Sequence, residues 1–197
     1  MDNSNVDKSR RRFLTAAATV VGGSGAVAAA VPFVATMTPS EKTKAIGAPV
    51  EIDISNLRPG ERMIEQWRGK PVWVLRRTEE MLADIKTQNP EVSDPESASS
   101  AQPEYATNEM RSIEDEYLVV IGICTHLGCS PNYVSKDAEN PPASDWLGGF
   151  FCPCHGSRFD LAGRVFKGVP APTNLVIPPY KFISPTRLLV GDDSGVA

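Results

Sequence analysis

Residues 124–129 read Cys-Thr-His-Leu-Gly-Cys, and residues 152–157 read Cys-Pro-Cys-His-Gly-Ser. These two segments contain all 4 cysteines and both histidines of the chain. A thiol and an imidazole at C-x-H spacing in the first segment, and at C-x-x-H spacing in the second, can together hold a metal centre. Two further cysteines, Cys129 and Cys154, occupy the same segments. The sequence therefore concentrates its soft metal ligands at one predicted site.

Length and charge narrow the class of protein. The chain has 197 residues, which suffice for one ordinary domain and an appendage. Its formal net charge is −4 and its sequence pI is about 5.3. Because this balance does not favour electrostatic binding to nucleic acid, we expect no nucleic-acid partner. The 4 cysteines are too few for a small disulfide scaffold.

The amino terminus resembles a twin-arginine export signal. Residues 9–14 read Ser-Arg-Arg-Arg-Phe-Leu and lead into an uncharged stretch. Proteins with such signals cross the membrane folded, often with a cofactor already inserted. The alternative is that the arginines are the positive flank of an ordinary signal or anchor. In either case the sequence predicts a cytoplasmic segment at residues 1–13 and a carboxy-terminal part outside the cytoplasm.

The uncharged stretch, residues 14–37, is a candidate transmembrane anchor. As a helix at about 1.5 Å per residue it would measure about 36 Å, enough to span a bilayer with some tilt. Its glycines and alanines make it only mildly apolar, and the alanines at 28–30 are a candidate cleavage site. We favour retention of the anchor over cleavage.

The remaining sequence predicts a polar tether and an antiparallel β domain. Residues 38–49 are polar and small with prolines near both ends, which is typical of a flexible hinge. Ala162-Gly163 predicts a hairpin between 159–161 and 164–166. The fold class is therefore mainly β, with the domain at 50–197. Short apolar runs between turn residues predict strands at 50–54, 62–67, 72–76, 117–123, 149–152, 182–184 and 187–190.

An insert separates the third and fourth predicted strands. Thr78 predicts a helix N-cap, because acidic residues and an apolar face follow it. Asn89-Pro90 predicts the end of this helix. Residues 91–103 have no apolar period, so they predict a surface loop.

The ligand set alone leaves more than one metal open. Two cysteines and two histidines are also typical of structural zinc. A zinc site would, however, leave the second pair of cysteines in the same segments without a use. Plant-type clusters with four thiolate ligands need the spacing C-x4-C-x2-C, which the sequence lacks.

Together with the twin-arginine segment, the two motifs closely resemble the Rieske iron-sulfur subunit of the bacterial cytochrome bc1 complex. The resemblance covers nearly the whole chain. It includes the insert and the proline-rich residues 168–172, which we call the proline loop. It implies an antiparallel Rieske-type β domain with a cluster-binding subdomain at about 122–172, preceded by one transmembrane helix.

The resemblance also implies the roles of the cysteines and histidines. Two cysteines bind one iron of a [2Fe-2S] Rieske cluster and two histidines bind the other. The implied ligands are Cys124, Cys152, His126 and His155. The remaining cysteines, Cys129 and Cys154, are implied to form a disulfide.

Mixed ligands suit the transfer of an electron together with a proton. An oxidised core of two irons and two sulfides carries a charge of about +2, so two thiolates neutralise it, whereas four would leave a dianion. Because a neutral centre accepts an electron more readily, the potential rises toward the range of about −150 to +300 mV. Oxidised iron also makes the free imidazole N–H more acidic, so electron and proton uptake are coupled.

In the resembled family this coupling serves quinol oxidation. The resemblance implies that His155 is the catalytic residue that hydrogen-bonds the quinol, and that His126 also faces solvent. It implies partner subunits, cytochrome b and cytochrome c1, in a dimeric complex of the bacterial inner membrane with the head domain in the periplasm. The hinge would let the head move between its two docking sites.

Three residues are predicted to tune the site. Ser157 resembles the family serine whose hydroxyl donates to a bridging sulfide. Phe159 replaces a tyrosine that donates to a cysteine sulfur in many respiratory members, so we expect a lower potential here. Leu127 and the proline loop are predicted to form an apolar rim that meets cytochrome b.

Two other functions are compatible with the motifs. The chain could be the Rieske subunit of another exported oxidoreductase, such as an arsenite oxidase. It could also be a zinc-stabilised binding module of the envelope. The insert and the proline loop favour the bc1 subunit.

Overall fold

The computed structural model describes residues 7–40, 43, 45 and 47–196. Residues 1–6 of the predicted cytoplasmic segment, and residues 41, 42, 44 and 46 of the predicted hinge, lie outside the described residues. The chain divides into two units, Met1–Ala45 and Ile46–Ala197, and each is a separate body.

The first unit contains helix α1, Lys8–Ala35. It begins before the predicted span because the Asp7 side chain accepts hydrogen bonds from the backbone N–H groups of Ser9 and Arg10, at 3.0 and 3.2 Å. Its 28 residues make it, among the described residues, the one helix long and apolar enough to cross a membrane.

The second unit is built from three antiparallel sheets of three strands each. The sheet β1-β9-β8 comprises Val50–Asp53, Arg187–Val190 and Tyr180–Ser184. The sheet β2-β3-β4 comprises Arg62–Trp67, Lys70–Arg76 and Tyr117–Ile121. The sheet β5-β6-β7 comprises Asn132–Val134, Gly149–Phe151 and Arg158–Phe159. The predicted antiparallel β class is therefore confirmed.

Helix α2, Glu79–Thr87, forms where the sequence predicts it. The hydroxyl of Thr78 accepts a hydrogen bond from the N–H of Met81 at 3.2 Å, so Thr78 caps the helix. A 3-10 turn at Asn89–Glu91 follows, and a second one spans Glu104–Ala106.

The prediction of a surface loop at 91–103 is wrong for part of its length. Val92 and Ser97 are buried, and Val92 forms an isolated bridge with Phe166. The N–H of Ser93 also donates to the carbonyl of Val165 at 2.9 Å. A polar segment can be buried here because neighbouring groups satisfy its hydrogen bonds.

The predicted hairpin forms, but its turn is longer than the sequence pattern suggests. Only Phe159 and Val165 pair across it, and the N–H of Asp160 donates to the carbonyl of Arg164 at 2.9 Å. The Asp160 carboxylate accepts from the N–H groups of Ala162 and Arg164 and forms a fully buried ion pair with the Arg164 guanidinium at 2.7 Å. Asp160 therefore ends strand β7 by closing the turn.

An aromatic contact joins the sheet of β3 to the sheet of β6. The Trp73 indole stacks on the Phe150 ring with 5.0 Å between centroids. Trp73 also lies against the backbone of Gly122, where an added Cβ would come within 2.1 Å of the indole. Since Gly122 lies two residues before Cys124, this contact positions the first metal-binding segment.

Candidate metal centre

The first metal-binding loop, residues 124–129, follows strand β4 and closes on itself. The N–H of Cys124 donates to the carbonyl of Cys129 at 2.7 Å, and the N–H of Gly128 donates to the carbonyl of Cys124 at 3.1 Å. Gly128 has a φ of +86°, which a residue with a side chain rarely adopts. The loop thus depends on glycine at this position.

The second loop, residues 152–157, has the same backbone pattern. The N–H of Cys152 donates to the carbonyl of Ser157 at 2.8 Å, and the N–H of Gly156 donates to the carbonyl of Cys152 at 2.9 Å. Gly156 has a φ of +77°. The two loops are therefore equivalent frames, each beginning with a cysteine.

A disulfide joins the two loops between Cys129 and Cys154, as the resemblance implies. These residues are 25 positions apart. The Sγ atoms of both lie within 4.8 Å of the Cys152 Sγ. The disulfide therefore holds the loops together directly beside a free thiol.

The two free cysteines are Cys124 and Cys152, with exposures of only 3% and 1%. Burial raises the pKa of the Cys124 thiol, and its hydrogen bond with Cys152 raises it further. A backbone contact from His126 and the hydroxyl of Ser157 act in the opposite direction. Two buried thiolates this close together need a cation to compensate their charge, so this pair fits a metal.

The two histidines lie beside one another. The rings of His126 and His155 are perpendicular, with 4.7 Å between centroids. The Nδ1 atom of His126 is buried and has no hydrogen-bond partner among the described residues, whereas His155 is exposed. A buried ring nitrogen without a partner fits a bond to a metal ion, which would satisfy it.

Hydroxyl groups connect both loops to the segment that contains the proline loop. Ser157 is fully buried, and its Oγ accepts a hydrogen bond from the N–H of Ala171 at 3.0 Å. The Thr125 hydroxyl donates to the carbonyl of Thr173 at 2.6 Å. The contact made by Thr125 was not predicted, although a hydroxyl placed between two ligands is a signal that could have indicated it.

The other two predicted tuning residues differ in exposure. Phe159 is fully buried in strand β7, whereas the Leu127 side chain is 71% exposed beside His126. The structure thus places Leu127 at the surface of the first loop and Phe159 in the buried strand that directly follows the second.

The described donor set comprises two buried thiols and two adjacent imidazoles, held by two disulfide-linked loops on antiparallel sheets. Residues 91–181 match the family model "Rieske [2Fe-2S] domain". The fold and the site therefore define a Rieske iron-sulfur protein. Residues 1–40 match a second model, described as "Ubiquitinol-cytochrome C reductase Fe-S subunit TAT signal".

Similar curated proteins share one name. The ubiquinol-cytochrome c reductase iron-sulfur subunit of Allochromatium vinosum is 57% identical over 197 residues, covering 100% of this chain and 95% of the relative. That of Blastochloris viridis is 41% identical and covers 99% of this chain and 98% of the relative. A solved chain described as "Hyperthermophilic respiratory Complex III" is 26% identical, with a TM-score of 0.48 and coverage of 89% of this chain and 99% of that chain. The protein belongs to the family of ubiquinol-cytochrome c reductase iron-sulfur subunits.

This membership decides between the functions that the sequence left open. The bc1 subunit is favoured over the subunit of an arsenite oxidase and over a zinc-stabilised module. The cofactor is a Rieske [2Fe-2S] cluster, and the chain is a membrane-anchored subunit of an oxidoreductase complex.

Proposed function

We propose that the chain takes one electron from a quinol and passes it to cytochrome c1 within the cytochrome bc1 complex. The observation that carries this function is the pair of equivalent, disulfide-linked loops that bring two buried thiols and two adjacent imidazoles together. When bound, the [2Fe-2S] cluster supplies a one-electron couple in the potential range of Rieske centres.

The four proposed ligands divide by residue type. Cys124 and Cys152 would hold one iron, and His126 and His155 would hold the other. The burial of both thiols and the unpartnered Nδ1 atom of His126 support this assignment. With only two thiolates the site carries less negative charge than a four-cysteine site, which favours electron uptake.

His155 is the proposed catalytic residue. Its side chain is exposed, which leaves the ring accessible to a quinol hydroxyl. We propose that the ring nitrogen not bound to iron accepts a hydrogen bond from the quinol and holds the proton as the electron leaves. His126 lies perpendicular to this ring and is more enclosed, so it would be the less accessible of the two.

The proposed docking surface for cytochrome b lies around the histidines. Leu127 is exposed on the first loop, and Pro170 and Pro172 are exposed on the proline loop. Buried Ser157 holds this loop through its contact with Ala171. An exposed leucine and a stiff proline segment would exclude water from the histidine that meets the quinol.

Helix α1 is proposed to anchor the subunit in the inner membrane. The basic residues at its start would remain in the cytoplasm, and the domain at 50–197 would lie in the periplasm. Residues 38–49 would act as a hinge that lets the head alternate between cytochrome b and cytochrome c1. We further propose that the complex is dimeric.

Spectroscopy of the reduced protein tests this function. The full-length subunit, isolated with its complex, is expected to contain two irons per chain and to give the EPR signal of a [2Fe-2S] centre with mixed ligation. Cytochromes b and c1 should copurify with it, and membranes should reduce cytochrome c with quinol. Colourless protein that contains zinc would overturn the cluster, and isolation without cytochrome b would overturn the complex.

A further inference from the structure

Asn174 is a fully buried polar side chain that follows the proline loop by two positions. Its Oδ1 accepts a hydrogen bond from the N–H of Val165 at 2.8 Å. Its Nδ2 donates to the carbonyl of Asp94 at 3.1 Å and to the hydroxyl of Ser97 at 3.2 Å. The amide therefore joins the segment after the proline loop to both the hairpin and the insert.

The part of the insert that contacts this amide is a turn around Asp94. The Asp94 carboxylate accepts hydrogen bonds from the N–H groups of Ala98 and Ser99 and from the hydroxyl of Ser100. The Ser100 hydroxyl also accepts from the backbone N–H of Asn174 at 3.3 Å. The turn at Asp94 is thus closed by its own hydrogen bonds before Asn174 docks onto it.

The same segment also contacts both metal-binding loops. The N–H of Ala171 donates to the Oγ of Ser157 at 3.0 Å, and the carbonyl of Thr173 accepts from the hydroxyl of Thr125 at 2.6 Å. Asn174 comes directly after Thr173, so loss of its side-chain bonds would release one end of the segment that makes both contacts. The Ser157 hydroxyl would then lose the hydrogen bond from the N–H of Ala171.

We propose that Asn174 is a positioning residue that fixes the proline loop over the metal-binding loops by fastening it to the insert. It acts through Ala171 and Ser157 and touches neither ligand nor substrate. The insert thereby has a role in the site, although none of its residues contacts the metal-binding loops through this network. The inference rests on the proposed function for its redox consequence, but its structural part does not.

Substitution of Asn174 by aspartate tests the proposal in the complete complex. N174D keeps the acceptor for Val165 but puts an oxygen against the carbonyl of Asp94. The expected results are amide hydrogen exchange in residues 168–173 that is roughly tenfold faster and a lower midpoint potential of the cluster. The matched control is N108D, because the Nδ2 of Asn108 donates to two backbone carbonyls inside the insert, at 2.9 and 3.0 Å. N108D should leave both measurements at the wild-type value.

A milder variant covers the case in which N174D does not fold. Ser97 has a φ of +57°, a conformation that glycine adopts readily, so S97G removes the hydroxyl partner of Asn174 while relieving backbone strain. S97G should also speed exchange in residues 168–173, by a smaller factor. Unchanged exchange in S97G and in any folded N174D, or an equal effect of N108D, would overturn the proposal. Exchange does not depend on the identity of the metal, so failure of the proposed function would be detected separately, by the iron content.

Discussion

The two metal-binding loops share a backbone but differ in their side chains. In each loop the first cysteine donates to the carbonyl five residues later, and a glycine with positive φ donates back to that cysteine. The first loop adds an exposed leucine and a half-buried histidine, whereas the second adds an exposed histidine and a buried serine. The same backbone conformation therefore carries different side chains in the two loops. The first loop provides apolar surface, and the second provides the accessible imidazole and the hydroxyl that we propose tunes the potential.

The largest expected effect tests whether the two frames are equivalent as metal sites. C124A in the first loop and C152A in the second should each abolish iron binding, because each removes one of two buried thiols. Iron per chain and visible absorption of the purified subunit measure this. S130A is the control, since the Ser130 hydroxyl donates to the Gly122 carbonyl and not to a thiol. Full iron content in either cysteine variant would show that the loops are not equivalent.

The next effect concerns the bond between the frames. C129A, C154A and the double variant should each lower the free energy of unfolding by about 3 kcal/mol. Each of them removes the same disulfide, which restricts the unfolded chain. The change is measured by unfolding the domain with denaturant and monitoring the loss of cluster absorption. A double variant much less stable than either single variant would indicate that the cysteines act through contacts other than the disulfide.

The tuning hydroxyl of the second loop should affect the potential more than the stability. S157A removes a donor beside Cys124, and the loss of about 1.4 kcal/mol of preference for the reduced state lowers the midpoint by about 59 mV. A redox titration measures the shift. S130A again serves as the comparison and should titrate like the wild type. A midpoint in S157A within a few millivolts of the wild type would contradict the proposed role.

A substitution at Phe159, in strand β7, should instead raise the midpoint potential. F159Y restores the donor present in many respiratory members, so the midpoint should rise by some tens of millivolts. F182Y adds the same hydroxyl in strand β8 and should leave the midpoint unchanged. If both variants titrate alike, the absence of tyrosine at position 159 does not lower the potential of this protein.

The smallest expected effect on stability comes from the exposed leucine of the first loop. L127A should change the free energy of unfolding by less than about 0.5 kcal/mol, because the side chain is largely exposed. It should nevertheless slow quinol oxidation by the complex, measured as cytochrome c reduction by membranes. I183A removes another exposed apolar side chain and should leave the rate unchanged. Equal rates for L127A and the wild type would show that Leu127 is not part of the docking surface.

Local patterns predicted most of the β framework, and the two motifs predicted the cysteines and histidines that the structure brings together, although not the contact made by Thr125. Strands β2 and β9 have the predicted bounds, because apolar runs between turn residues report strands directly. Strand β5, Asn132–Val134, has only three residues and was not predicted, since so short a segment carries no period. The burial of Ser97 and Asn174 was also not predicted. A buried polar side chain depends on partners that are distant in the chain, and composition alone suggests an exposed loop.

The contact of Trp73 with Gly122 has a mechanical consequence. Because an added Cβ on Gly122 would lie 2.1 Å from the indole, strand β3 cannot shift against the end of strand β4 without displacing the backbone that leads to Cys124. We expect metal ligands held by such close packing to change their geometry little when the charge of the site changes. We therefore expect only a small structural rearrangement on each gain or loss of an electron, which would favour fast electron transfer.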